Sequence, residues 1–195
     1  IGGKDSVKGN RQGSLSRSIT RRSDQNCKII LQILILQFCR QLVKKVQKDF
    51  FDKLKKASAF AQYIQVMALF TDPRLSDADG WLRLKEAVRN LQSDPAVRSG
   101  TVGLTAVCPE RADGISLLLG IEDARVLDHH PERVDELYDM GVRIFTPLWK
   151  GETCIGGAHD TTAGLTDFGE LALRRALELG MIPDISHASE ASAEE

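Results

Sequence analysis

The sequence contains no pair of cysteines spaced as C-x-x-C, so zinc knuckles and dithiol redox centres built on that spacing are excluded. Its four cysteines lie far apart along 195 residues, a pattern typical of free thiols in a reducing cytoplasm. Long hydrophobic runs are missing too: residues 29–39 form the only strongly apolar stretch, and Gln32 and Gln37 interrupt it. Such a stretch is too short and too polar to cross a bilayer. We therefore predict a cytoplasmic protein without a transmembrane span.

Glycine-rich nucleotide motifs are absent as well. No G-x-G-x-x-G turn follows an apolar run, and no phosphate-binding loop ends in Gly-Lys-Ser or Gly-Lys-Thr. The pair Gly156-Gly157 lies well past the nearest predicted strand, in a long loop. Dinucleotide-binding and phosphate-loop proteins are therefore excluded, because both need the glycine turn at the start of a helix.

The charges are unevenly distributed along the chain. Residues 1–56 carry 14 Lys and Arg side chains against 4 Asp and Glu, whereas residues 57–195 carry 12 against 23. A basic segment can bind nucleic acid, but this one has no aromatic side chains among its arginines on which bases would stack. We expect no nucleic-acid partner, and we predict two segments, 1–56 and 57–195.

The basic segment is predicted to be loose at first and then helical. Residues 1–26 are rich in Ser, Arg, Gly and Asn and have few apolar side chains, a composition typical of disorder. Residues 29–56 predict a helix, because apolar residues recur near a 3.6-residue period. That stripe consists of Leu36, Cys39, Leu42, Val43 and Val46.

From residue 57 onward the pattern becomes an alternation of strands and helices. Apolar runs predict strands at 64–70, 116–121, 142–148 and 181–185. Helical patterns lie between them at 77–92, 131–140 and 166–179, and Thr166 is the predicted cap of the last. This alternation predicts an α/β fold with a parallel sheet, either a barrel or an open doubly wound sheet. Without a dinucleotide motif, we favour the barrel.

Three predicted strand ends carry side chains able to do chemistry. In a β/α barrel, functional groups collect at the C-terminal ends of the strands, and these positions hold Glu122, Trp149 with Lys150, and His187. The two oxygens of Glu122 can bridge two cations, and the imidazole of His187 suits zinc. Ordinary solvated or hydrogen-bonded side chains are the alternative, and spacing alone leaves both interpretations open.

Three sequence blocks resemble one known family. They are Gly141-Val142-Arg143, the G-L-T-D-F-G block at 164–169, and the L-G-M-I-P-D-I-S-H block at 179–187. In this order and spacing they resemble the metal-dependent dipeptidases related to renal, or membrane, dipeptidase, over about residues 57–195. The resemblance implies a β/α barrel that hydrolyses dipeptides with a metal-bound water.

The resemblance also implies roles for individual residues. The G-I-E sequence ending at Glu122 implies that this carboxylate bridges two zinc ions, and the D-I-S-H sequence implies that His187 binds one of them. Trp149 looks like part of a T-W-N-G variant in which Lys150 replaces Asn; it would line the substrate pocket or pack against its neighbours. His159, on the loop after the fourth strand, would contact substrate or lie in solvent.

The chain departs from the family pattern at the first metal-binding strand. No H-x-D pair, which would supply two ligands, occurs in residues 1–56, and a second histidine ligand is expected on a strand beyond Glu195. Of the five expected metal ligands only two, Glu122 and His187, are therefore present. We therefore expect an incomplete part of a zinc dipeptidase, about strands two to five of a (β/α)8 TIM-type barrel, preceded by a non-matching, mostly helical or disordered N-terminal segment.

Two alternatives stay open. The first is a non-catalytic remnant or interaction module of the same fold that has lost its metal site, and the second is a related metal-dependent hydrolase acting on a cyclic amide or an ester. In either case an open sheet exposes strand edges and apolar helix faces. We expect such a chain to aggregate or to take a partner, for example in a homo-oligomer.

Overall fold

The computed structural model describes residues 32–37, 62–99, 102–104 and 114–195. Within these ranges the chain forms six strands, five α-helices and a 3₁₀ turn. The strands are β1 (Gln32–Gln37), β2 (Gln62–Phe70), β3 (Val102–Leu104), β4 (Gly114–Glu122), β5 (Val142–Thr146) and β6 (Ile182–Pro183). The helices are α1 (Asp77–Gln92), α2 (Pro95–Arg98), α3 (Glu132–Asp139), α4 (Asp167–Glu178) and α5 (Glu190–Glu194), and the 3₁₀ turn is Ala124–Leu127.

The six strands make one parallel sheet. The hydrogen-bonded order is β1-β2-β4-β5-β6, with β3 paired to the first half of β4. The order follows the chain, and helices α1, α3 and α4 connect successive strands, as they do in β/α barrels. This arrangement confirms the predicted α/β class, an open part of a (β/α)8 TIM-type barrel.

The register of the strands defines one rim of the sheet. Phe70, the last residue of β2, pairs with Glu122, the last residue of β4. Glu122 in turn pairs with Thr146, the last residue of β5. We call these strand ends, together with the loops that follow them, the C-terminal rim. Functional side chains of β/α barrels lie at this edge.

Buried apolar side chains form two clusters, one on each face of the sheet. The larger cluster joins Leu117 and Leu119 of β4 to helices α1, α3 and α4. The smaller cluster consists of Ile64, Val66, Leu118 and the partly buried Ile144, without any helical residue. Because side chains alternate along a strand, Glu122 lies on the same face as Leu118. We call this side, on which the described residues place no helix, the inner face.

The helix predicted for residues 29–56 is wrong at Gln32–Gln37. These residues form β1, which pairs in parallel with residues 65–70 of β2. Four consecutive apolar residues, including the β-branched Ile33 and Ile35, suit a strand of a parallel sheet, and this pairing overrides the helical period. The remaining residues of 1–56 lie outside the described residues, so the loose and helical predictions there, and the boundary at 57, stay predictions.

The other predicted strands are confirmed with differences in length. The runs at 64–70 and 116–121 lie inside β2 and β4. β5 stops at Thr146, short of the predicted 148, because Pro147 has no N–H to continue the ladder. β6 covers only two residues of the predicted 181–185. β3 was not predicted, since three residues carry too little pattern.

The predicted helices are also confirmed. α1 spans the predicted residues 77–92, and α3 and α4 lie within 131–140 and 166–179. Thr166 caps α4 as predicted, because its Oγ1 accepts a hydrogen bond from Gly169 N at 2.9 Å. A Cβ added at Gly169 would collide with the Ile155 carbonyl oxygen. This close approach explains the second glycine of the G-L-T-D-F-G block.

Across the described residues, no helix combines the length and the apolar character that a bilayer span requires. The cytoplasmic location and the homo-oligomer stay predictions.

Candidate functional site

The Glu122 carboxylate is buried at the C-terminal rim with one oxygen unpartnered. The residue is 8% exposed, and its Oε2 makes no hydrogen bond within the described residues. Its Oε1 lies 3.4 Å from His187 Nε2. Burial raises the pKa of Glu122; His187 opposes this shift, and the charge of Asp184 adds to it. A buried acceptor without a partner is costly, and a bound cation would remove that cost.

His187 reaches Glu122 from the turn that follows β6. Its backbone φ is 72°, a left-handed conformation that is uncommon outside glycine but more frequent for His than for most residues. The turn is fixed by hydrogen bonds from His159 N to His187 O at 2.7 Å and from Ala188 N to Ile185 O at 3.0 Å. With its side chain 36% exposed, His187 presents one imidazole nitrogen to the carboxylate and remains accessible at the rim.

Asp184 anchors this turn to β5. Its Oδ2 accepts a hydrogen bond from Thr146 Oγ1 at 2.9 Å, and its Oδ1 accepts from the backbone N and the Oγ of Ser186 at 3.0 and 2.6 Å. Burial acts to raise the pKa of Asp184, but these hydrogen bonds outweigh it and the pKa is lowered. Asp184 is therefore an anion at neutral pH that fixes the chain two residues before His187.

The structure brings His159 next to His187. The two imidazole centroids are 5.7 Å apart with the ring planes inclined by 48°, and the backbone hydrogen bond between the residues holds the loops together. His159 is exposed, so its ring is free to meet a molecule entering at the rim. The structure therefore places His159 beside His187, a candidate metal ligand, and the contact of His159 with substrate stays a prediction.

Trp149 lies at the same rim, packed on the end of β2. Its ring meets that of Phe70 edge to face, with centroids 5.0 Å apart and planes inclined by 68°. The structure therefore confirms that this tryptophan packs against a neighbouring side chain. Trp149 is nevertheless only half-buried, and its role in lining a substrate pocket stays a prediction.

Sequence reasoning missed two buried charged residues directly after Glu122. Asp123 is 2% exposed and Arg125 is 9% exposed, and Arg125 Nε donates to Asp123 Oδ2 at 3.2 Å. Burial raises the pKa of Asp123 to about 6, and Arg125 opposes the shift. The signal in the sequence is an Asp and an Arg two residues apart, directly after Glu122 and followed by Val126 and Leu127, because buried charges are usually paired.

Glu122 and His187 at the C-terminal rim are suited to bind a metal ion as two members of a larger set of ligands. A carboxylate oxygen and an imidazole nitrogen are both zinc ligands, and the unpartnered Oε2 of Glu122 is an acceptor without a donor. The described residues contain no group of three or more His, Cys, Asp or Glu side chains arranged to hold a metal ion. Glu122 and His187 therefore supply two donors of such a site.

Comparison with protein families identifies the group to which this sequence belongs. The model of the membrane dipeptidases, peptidase family M19, matches residues 53–195. The chain belongs to the membrane dipeptidase family. This membership confirms the resemblance seen in the sequence blocks, and the matched range includes Glu122, Trp149, His159 and His187.

The individual proteins that resemble this chain match only part of its length. An uncharacterized protein in the PQQ-III 3′ region of Acinetobacter calcoaceticus is 31% identical over 84 residues, which are 39% of this chain and 27% of that protein. The probable dipeptidase PvdM from Pseudomonas aeruginosa superposes with a TM-score of 0.60 at 19% identity, over 72% of this chain and 41% of that one.

A metallo peptidase from Rhodobacter sphaeroides, liganded with a phosphinate mimic of the dipeptide L-Ala-D-Ala, superposes with a TM-score of 0.67 at 16% identity. The similarity covers 82% of this chain and 59% of that one. At such identities the solved structures establish the fold alone. The chain spans less than two thirds of the length of each of these relatives.

Proposed function

We propose that this chain is part of a zinc dipeptidase in which Glu122 bridges two zinc ions and His187 binds one of them. The observation that carries the proposal is the buried, unpartnered Oε2 of Glu122 with His187 Nε2 beside its other oxygen. Both side chains lie at the C-terminal rim, where β/α barrels perform chemistry. Membership of a family of dipeptidases supports the same reaction.

The residues of this chain would hold the donors in place. Bound zinc would activate a water molecule and polarise the carbonyl of the scissile peptide bond. Glu122 is fixed at the end of β4, where the ladder continues through a hydrogen bond from Asp123 N to Thr146 O at 3.2 Å. Because burial disfavours its ionised form, a cation is the natural counter-charge. Asp184 orients the turn that carries His187.

We further propose that a dipeptide enters from the C-terminal rim between Trp149 and His159. The half-buried indole offers an apolar face, and the exposed imidazole offers a hydrogen bond to a polar group of the substrate. Packing of Trp149 on Phe70 supports this role, since a ring held on one side presents a fixed surface on the other.

A non-catalytic member of the family is the second candidate. The observation that favours it is that the described residues assemble no metal-binding group of three or more donors. The absence of an H-x-D pair from residues 1–56 points the same way. Such a protein would keep the sheet and the rim but would neither bind zinc at Glu122 nor cleave dipeptides.

Zinc binding by this chain and hydrolysis by the whole protein separate the two candidates. After treatment with a chelator, zinc is titrated calorimetrically into the wild-type chain and into Glu122→Gln. Amino acids released by the whole protein from Ala-Ala dipeptides, with L,L and L,D stereochemistry, are then quantified with and without zinc. The enzyme proposal expects zinc binding that depends on Glu122, and hydrolysis by the whole protein that depends on zinc. Zinc binding unaffected by Glu122→Gln, or a whole protein that binds zinc without cleaving any dipeptide, would contradict it.

A further inference from the structure

Arg125 is a buried cation directly beneath the C-terminal rim. Its side chain is only 11% exposed, and it lies three residues after Glu122 in the 3₁₀ turn. A charged side chain is almost never buried unless it is paired, and Arg125 is paired with groups from two separate parts of the chain. Its partners show what the arginine holds together.

On one side, Arg125 binds the chain that immediately follows Glu122. Its Nε donates to Asp123 Oδ2 at 3.2 Å, and its backbone N donates to Asp123 Oδ1 at 3.4 Å. Asp123 has a φ of 73°, a left-handed conformation that is unfavourable for a non-glycine residue and so has to be held by its surroundings. The two hydrogen bonds hold the residue in this conformation next to Glu122.

On the other side, Arg125 binds the loop between β2 and α1. Its Nη2 donates to Asp72 O at 3.1 Å and to Thr71 Oγ1 at 3.4 Å. Its Nη1 forms an ion pair with Asp77 at the start of α1 and donates to Leu75 O at 3.4 Å. One planar guanidinium therefore joins the end of β2, the start of α1 and the residue after Glu122, which a single flexible ammonium group cannot do.

We propose that Arg125 is a positioning residue for Glu122. By clamping Asp123 to the loop after β2, it fixes the end of β4 so that the Glu122 carboxylate remains buried on the inner face at the C-terminal rim. The proposal rests on the zinc site proposed above, in which Arg125 would act through Asp123 and not as a ligand.

Arg133 provides a matched control in the same part of the molecule. Its side chain is 13% exposed, close to the exposure of Arg125, and its Nη1 donates to Val126 O at 2.7 Å and Leu127 O at 3.3 Å. It therefore supports the same 3₁₀ turn, but it has no bond to Asp123. Loss of Arg133 tests general loosening of the turn without removing the clamp.

The test is the affinity for zinc ions, measured by calorimetry, in three variants. Arg125→Gln alone would leave Asp123 buried and unpaired, so it is combined with Asp123→Asn, which removes both charges together. We expect this double variant to bind zinc about 10-fold more weakly than wild type, as for loss of an outer-shell partner. We expect the zinc affinity of Arg125→Lys, which keeps the charge but loses the planar guanidinium and its several donors, to lie between those of the double variant and wild type. Arg133→Gln should stay within twofold of wild type, as roughly expected of a change outside the clamp.

The outcomes distinguish this inference from the function on which it rests. A folded double variant, or Arg125→Lys if the double variant does not fold, with wild-type zinc affinity would overturn the positioning role and leave the zinc site standing. An equal loss in Arg133→Gln would also overturn it, because the effect would then be general. A wild-type chain that binds no zinc would overturn both proposals.

Discussion

The two proposed zinc ligands are held by two very different regions of the molecule. Glu122 ends a nine-residue strand, and the segment that follows it, through Leu127, is buried throughout. His187 follows a strand of only two residues, Ile182–Pro183, and Ile182 and Ile185, which precede it, are 39% and 64% exposed. One ligand is fixed by the core, and the other is fixed by a few hydrogen bonds at an edge.

This difference indicates how the site would respond to a metal ion. The Glu122 carboxylate is buried at a cost in the absence of a cation, whereas His187 lies in a largely exposed turn that only a few hydrogen bonds hold. We therefore expect the metal to act on stability mainly through Glu122 and on order mainly through the turn at His187. Three changes test this contrast, and a fourth tests an ion pair between helices away from both ligands. They follow in decreasing order of expected effect.

Glu122→Gln should separate metal binding from stability. Zinc affinity should fall by more than about 100-fold, since even loss of an outer-shell partner costs about 10–100-fold. Without metal, the variant should be more stable than wild type by about 1 kcal/mol, because a buried carboxylate whose Oε2 is unpartnered is replaced by a neutral amide. Calorimetry and urea unfolding check the two effects. A variant that is less stable without metal would contradict the view that the carboxylate is buried at a cost.

His187→Ala should weaken zinc binding with little effect on folding. We expect an affinity loss of about 10–100-fold and a change in unfolding free energy within about 0.5 kcal/mol, since the side chain is partly exposed. His130→Ala is the matched control, because His130 is exposed and paired with Glu132 at 3.0 Å. Equal zinc affinities in the two variants would remove His187 from the ligand set.

Thr146→Val should loosen the His187 side of the site while leaving the Glu122 side intact. The change removes the 2.9 Å hydrogen bond to Asp184 and should cost about 1 kcal/mol. Amide hydrogen exchange followed by mass spectrometry should become faster at 184–188 and stay unchanged at 118–124. Faster exchange in both regions would show that the two sides are not held independently.

Asp135→Asn should have the smallest effect, a slight loss of stability at neutral pH that disappears in acid. The hydrogen bonds and charge of Arg175 lower the pKa of Asp135, so this ion pair between α3 and α4 contributes stability above the carboxyl's ordinary pKa. That contribution is lost as the pH falls through the lowered folded value. The variant should therefore lose less stability than wild type when melting temperatures are compared between pH 5 and pH 2. Identical acid dependence in both proteins would show that the pair contributes nothing.

Much of the fold and the position of the site were predictable because both depend on local pattern. Apolar runs separated by helical stripes identify β2, β4, α1 and α4, and parallel strands bring their C-terminal ends to one rim. Glu122 and His187 each follow an apolar run, so their approach at the rim could be expected once the sheet was parallel. The family resemblance then supplied the chemistry.

The remaining features depend on contacts between distant residues, which local pattern does not contain. The strand at Gln32–Gln37 forms because β2 is available as a partner, although its surroundings have a helical period. The clamp at Arg125 requires the loop after β2 to lie beside the end of β4. The left-handed turn at His187 depends on the carbonyl contact with His159. Strand pairing and contacts between loops therefore determine these three features, which the periodicity of the sequence does not predict.

Anomalous diffraction at the zinc edge from crystals grown with zinc tests the central claim most directly, because it locates the ion rather than its effects. We predict an anomalous peak at the C-terminal rim with Glu122 oxygen and His187 nitrogen as ligands, at roughly 2.0–2.2 Å. A peak elsewhere, for example at His130 and Glu132, or no peak in zinc-saturated crystals, would contradict the assignment of Glu122 and His187 as zinc ligands.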